Sequence, residues 1–244
     1  MGKGLPLLLM ALFVVTGCVS KPMRQEIADV RLQLGMHYLA RQDYPAAERN
    51  LLRAERATPR DYRVALALAR LFQAQNNNSA TMRYYKRAQA LAPGNGYVAN
   101  NYGAFLCALG QYDEAHQQFN QAAKAREPEA DSDALELSGY CYLQSGSLAA
   151  ARQQLLAALA TDEDKGPSLL QEAERRLERR ELATTRLLLE VYQHRLPATA
   201  ESLWLEIRFA AQQGNAADVT RYGDRLARSF PQSIQYQRYL ANEY

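Results

Sequence analysis

The chain is poor in what site chemistry usually needs. Its 244 residues hold three histidines, three cysteines and one tryptophan. His37, His116 and His194 are widely separated, with no HExxH or GxSxG pattern, so no zinc-hydrolase or serine-hydrolase signature is present. No glycine-rich loop follows a strand, which excludes a phosphate cradle. With 29 basic and 26 acidic residues the net charge is +3, too close to balance for a nucleic-acid footprint. Thirteen glycines and nine prolines are too few for a disordered or collagen-like chain. Alternating β-branched runs are missing, and so are the strands they would form. We therefore expect no catalytic residue, metal, cofactor or small-molecule substrate.

Long apolar runs are also missing. The longest, Leu5 to Val15, would rise only about 16 Å as a helix, against a bilayer core of about 30 Å. Behind the basic Lys3 it reads as a secretory signal. It closes on Val15-Thr16-Gly17-Cys18, which resembles a bacterial lipobox. That resemblance implies a signal peptide over 1–17, cleavage before Cys18 and acylation of its thiol. Val19 then stands where an aspartate would retain the chain at the inner membrane, so the implied address is the periplasmic face of the outer membrane. An ordinary cleaved signal is the alternative. Residues 18–27 would be a lipidated N-terminus and short linker.

What is abundant is helix-forming sequence with a beat. Pro59 to Pro93 is 34 residues, Pro93 to Pro128 is 35, and Pro197 to Pro231 is 34. Small residues repeat in step: Gly35, Ala69, Gly103, Gly139, Ala173, and Ala54, Ala88, Ala122, Ala158. With Tyr38, Phe72, Tyr112 and Phe119 at their offsets, this resembles the tetratricopeptide repeat. The resemblance implies an all-α, right-handed superhelix of about six helix pairs, with repeats at about 28–61, 62–95, 96–129, 132–165, 166–199 and 200–233. A short capping helix is expected over 234–244, giving about thirteen helices. Leu34 is among the expected packing residues, and Arg176 stands in the fifth repeat where an aromatic belongs.

In such an array the first helices line a concave surface through repeat positions 2, 5, 9, 12 and 13. In repeat one this gives an apolar strip of Leu32, Met36 and Leu39; Arg63 and Arg70 follow in repeat two, and Tyr97 and Asn100 in repeat three. These seven residues are the candidate partner-binding set, for a helix or an extended peptide. The competing expectation is that residues 22–27 fold over the strip and cover it. Cys107 and Cys141 are expected as small packing residues, with a disulfide between them as the alternative. The charge run Glu172 to Glu181 is expected as a solvated helix face.

The stretches Asn100-Asn101-Tyr102-Gly103-Ala104-Phe105-Leu106-Cys107 and Ala200-Glu201-Ser202-Leu203-Trp204-Leu205-Glu206-Ile207-Arg208, with the lipobox, resemble the type IV pilus biogenesis lipoproteins of the PilF (PilW) family. The resemblance spans nearly all of the mature chain. It implies a pilotin: an acyl-anchored outer-membrane protein that binds the secretin subunit and promotes its localisation and multimerisation. Other envelope scaffolds, organising peptidoglycan enzymes or outer-membrane assembly, are the alternative.

Overall fold

In the computed structural model, residues 21–244 are described; the signal peptide and Cys18 lie outside them. Thirteen α-helices and no strand occur among the described residues. They form six helix pairs and a cap: α1 (Lys21–Ala40) with α2 (Tyr44–Ala57), α3 (Tyr62–Ala74) with α4 (Asn78–Leu91), α5 (Gly96–Ala108) with α6 (Tyr112–Ala122), α7 (Ala130–Gln144) with α8 (Leu148–Thr161), α9 (Gly166–Glu178) with α10 (Leu182–Arg195), α11 (Ala200–Gln212) with α12 (Ala216–Ser229), then α13 (Ile234–Leu240). One short 3-10 turn, Glu163–Lys165, joins α8 to α9.

Each pair turns on one residue in the left-handed region. These are Gln42, Asn76, Gly110, Gly146, Arg180 and Gly214, with φ between 58° and 81°. Their spacing is 34, 34, 36, 34 and 34 residues. The beat of the sequence is thus a beat of backbone conformation. The 36-residue interval contains the longer connection between α6 and α7, and α7 starts at Ala130.

Packing inside a pair follows from size. Gly35, Gly103 and Gly139 each face the residue sixteen positions on: Leu51, Phe119 and Leu155. A Cβ added at these glycines would come within 2.5–2.7 Å of those side chains. The glycine is a hole, the partner a knob, and the two helices close on each other.

The chain divides into two compact units, one ending at Tyr84 and one from Tyr85 to Tyr244. In the first, Leu51, Ala54, Leu68 and Leu71 are fully buried, and Phe72 stacks on Tyr84 at 5.4 Å. In the second, Tyr85 packs against Tyr102 and Phe105. The core then continues through Leu155, Leu169, Leu177 and Leu188 and ends around Trp204, Ile207 and Leu226.

Two expectations about the N-terminus need correction. Residues 21–27 are neither a linker nor a flap over the strip; they are the first turns of α1. Pro22 falls within the first turn, where no helical N–H is required, and the residues after it favour helix. Leu34 is not a packing residue either: it is 38% exposed.

Candidate functional site

In the first unit, the first helices of both repeats present a recess of about 360 Å³. It is lined by Met36, Leu39, Ala40, Gln42, Tyr44, Arg70 and Ala74. Three of the seven residues singled out in the sequence therefore meet at one place. Leu32 lies one turn before Met36 on the same face of α1, half-buried. Arg70 is exposed and has no ion-pair partner among the described residues. The recess combines apolar walls with one available cation, which suits a peptide carrying an apolar anchor and a nearby carboxylate.

Arg63 is not available in this way. Its guanidinium is held by Asp61 at 2.6 Å and by Asp29 at 2.7 Å. The hydrogen bond to Asp61 is the main reason its pKa lies above the ordinary arginine value. Burial alone would raise the Asp61 carboxyl, but Arg63 holds it below the usual range. Arg63 ties α3 to α1 rather than offering itself to a ligand.

In the second unit, Tyr97 is 40% exposed, and its hydroxyl donates to the Pro128 carbonyl at 3.1 Å. Asn100 is buried, at 3% exposure, and its amide donates to the Ala130 carbonyl at 2.9 Å. The expectation that Asn100 faces a ligand is therefore corrected. The longer α6–α7 connection folds across the start of α5, where Glu127 accepts from Asn95 and from the Gly96 N–H. A Cβ at Gly96 would lie 2.5 Å from that of Ala130. Asn100 belongs to this joint.

Cys107 and Cys141 are disulfide-bonded, with Cα atoms 5.8 Å apart. The expectation of two free packing thiols gives way to its alternative. They are not equivalent positions: Cys107 lies three residues before Gly110 on α5, and Cys141 five before Gly146 on α7. The Cα separation lies within the range a disulfide spans. His116 stacks on Tyr142, and its Nδ1 meets the Ser138 hydroxyl at 3.1 Å. Burial lowers its pKa, which suits a packed neutral ring.

The charge run is not simply a solvated face. Glu172 is buried and accepts from Arg175 at 2.6 Å and from Arg176 at 2.6 Å. Arg176 also reaches Glu181 at 2.7 Å. Burial opposes its charge, yet the bonds it donates to Glu172 and Glu181 keep its pKa above the ordinary value. Two carboxylates thus make an arginine tolerable where the repeat normally puts an aromatic.

Repeat positions 2, 5 and 9 of the last repeats form a second recess, of about 450 Å³. Pro167, Leu170 and Glu174 come from α9; Glu201, Trp204 and Arg208 from α11; Gln235 and Arg238 from α13. Arg208 is ion-paired with Glu174, and Gln235 donates to Glu201 at 3.3 Å. These residues were missed in the sequence, although the same position rule applied to repeats five and six finds them. Between them and repeat four, Lys165 bridges Asp133 and, at 3.9 Å, Glu136. Burial works against its charge, but Asp133, Glu136 and Asp162 hold its pKa above the ordinary value.

Glu206 was also missed. It points away from this recess into a smaller cavity of about 240 Å³ beside Gln193, Gln213 and Tyr222. Burial pushes its carboxyl up to about 7, against hydrogen bonds from Tyr222 and Gln193 and the charges of Arg221 and Arg225. Among the described residues no His, Cys, Asp and Glu cluster could hold a metal ion. Nor is any described helix long and apolar enough to cross a membrane.

Comparison with known proteins fits this geometry. A tetratricopeptide repeat family model matches residues 32–96 and 106–167, more than half of the chain. The type IV pilus assembly protein PilF of Pseudomonas aeruginosa is 29% identical over 238 residues, covering 94% of each chain. A solved structure of P. aeruginosa PilF superposes with a TM-score of 0.62 over 90% of this chain and 99% of its own. That of PilW, described as a widely conserved type IV pilus biogenesis factor, gives 0.62 at 26% identity, over 88% and 99%. These relatives are repeat proteins, not enzymes. The chain belongs to the tetratricopeptide repeat family and is a homologue of PilF.

Proposed function

We propose that the chain is the pilotin of a type IV pilus system: an outer-membrane lipoprotein that binds the secretin subunit and promotes its localisation and multimerisation. The supporting observation is the homology with PilF, which runs over 94% of both chains. Acylation of Cys18 supplies the anchor and the address. The recess of Met36, Leu39 and Arg70, extended by Leu32, receives a secretin segment. Tethering then concentrates subunits at one membrane, which favours their multimerisation. The exposed ring of Tyr97 offers a further contact on the second unit.

Two strains test this. Deleting the chain should abolish heat-resistant secretin multimers on unboiled gels, together with twitching. Cys18→Ala should leave a stable protein that no longer fractionates with the outer membrane. Normal multimers in the deletion strain, with a cell-wall defect instead, would transfer the protein to another envelope scaffold.

A further inference from the structure

Helix α1 carries an apolar stripe that stays exposed among the described residues. Met23, Ile27, Val30 and Leu34 are 52%, 44%, 51% and 38% exposed. Their spacing of four, three and four residues puts them on one face. At 100° per residue that face is roughly opposite the strip of Leu32, Met36 and Leu39. It is the side on which a preceding repeat would stack. A terminal repeat ordinarily carries a polar outer face there, because no neighbour buries it.

We propose that this stripe rests on the phospholipid bilayer that holds the acyl chains of Cys18. The inference rests on the acylation proposed above. Only Val19 and Ser20 separate Cys18 from the first residue of α1. Three residue steps span at most about 10 Å, so the start of the helix cannot leave the headgroup region. From there α1 rises 1.5 Å per residue, which puts Leu34 about 20 Å along the helix from its start. A helix tethered this closely lies down if one face is apolar, as interfacial amphipathic helices do. Arg24, exposed beside Met23, suits an anionic headgroup. Laid on this face, α1 turns the recess of Met36 and Leu39 away from the lipid.

The chain contains its own control, because Met23 is on the stripe and the half-buried Met36 is on the opposite face. The experiment reconstitutes the acylated full chain into phosphatidylethanolamine–phosphatidylglycerol vesicles and exposes it to hydroxyl radicals generated in the water phase. By exposure alone Met23 should oxidise faster than Met36. On the bilayer the order should reverse. In the exposed double variant Ile27→Asp, Val30→Asp, still acylated, the Met23-to-Met36 oxidation ratio should rise at least fivefold. Met23 oxidising faster than Met36 in the wild-type vesicles overturns the proposal. So does protection that disappears as the protein is diluted among the lipids, which would mean a second copy. Protection seen only in whole envelopes overturns it in favour of a protein partner. Intact mass separates the two readings: an unacylated Cys18 removes the anchor and this proposal together, whereas an acylated chain with a reactive Met23 removes this proposal alone.

Discussion

Arg63 and Asp29 stand at the same position of consecutive repeats, 34 residues apart, and are joined by a 2.7 Å ion pair. The relationship recurs along the first helices. Arg208 pairs with Glu174, and Gln235 donates to Glu201. A solenoid places equivalent positions side by side, so a polar residue whose counterpart one repeat away is complementary becomes part of the scaffold. One whose counterpart is not complementary stays open. Arg70 has Met36 one repeat before it and Ala104 one repeat after it in the sequence, neither able to pair with a cation, and is open.

This contrast gives the first prediction. Met36→Ser with Leu39→Ser, or Arg70→Glu alone, should weaken capture of the secretin at least tenfold with the helical circular dichroism unchanged. Arg63→Ala should leave capture within twofold. Losing its ion pairs to Asp29 and Asp61, with Arg63 itself half exposed, should cost about 1–2 kcal/mol of stability. Arg63→Ala abolishing capture while Arg70→Glu leaves it intact would reverse the assignment.

The disulfide closes a 34-residue separation. On the loop-entropy model that is worth about 4 kcal/mol at most. Cys107→Ser with Cys141→Ser should therefore lower the urea midpoint of the second unit. Reductant should produce the same shift in the wild type and none in the variant. A wild type whose midpoint reductant leaves unmoved would contradict the pairing.

Arg180 adopts φ of +60° at a turn where Gly110, Gly146 and Gly214 serve in other repeats. A side chain in this region is disfavoured by about 1–2 kcal/mol, of which glycine returns part as greater freedom in the unfolded chain. Arg180→Gly should raise the stability of the second unit by up to about 1 kcal/mol. Thermal unfolding reads it directly, and a loss of stability would mean the arginine side chain holds a contact worth more than the strain.

Much of the fold is legible in the sequence because one physical requirement is repeated. Gly35, Gly103 and Gly139 announce the close helix contact, and the turn residues keep the same beat in the structure. The site is less legible, for definite reasons. Arg63 was misread because its partner Asp29 lies a full repeat upstream, although the period itself predicts the pair. Asn100 was misread because the longer α6–α7 connection brings Ala130 over it, and no repeat rule specifies where an insertion folds. The recess around Trp204 went unseen because Arg176 made repeat five look broken, while Glu172 and Glu181 quietly repair it.

Glu206 sets a pH dependence. Its folded value of about 7 lies above the ordinary 4.5. Below pH 4.5 both states carry the proton and the group is neutral in its effect. As pH rises from there through 7 the unfolded chain releases its proton first, so stability falls, by a total of about 3 kcal/mol. Glu206→Gln should flatten this window and be more stable than wild type at pH 8, with the advantage shrinking at pH 4.5. Urea midpoints across that range decide it, and parallel curves for the two proteins would contradict the raised value.

The central claim is that a secretin segment occupies the recess of the first unit. The most direct measurement places a photo-crosslinking amino acid at Leu39 of the acylated chain in living cells, with the captured partner identified by mass. The account predicts a crosslink to the secretin at Leu39 and none from a probe at the exposed Arg228 of α12. A Leu39 probe that leaves secretin assembly intact yet captures no secretin would contradict it.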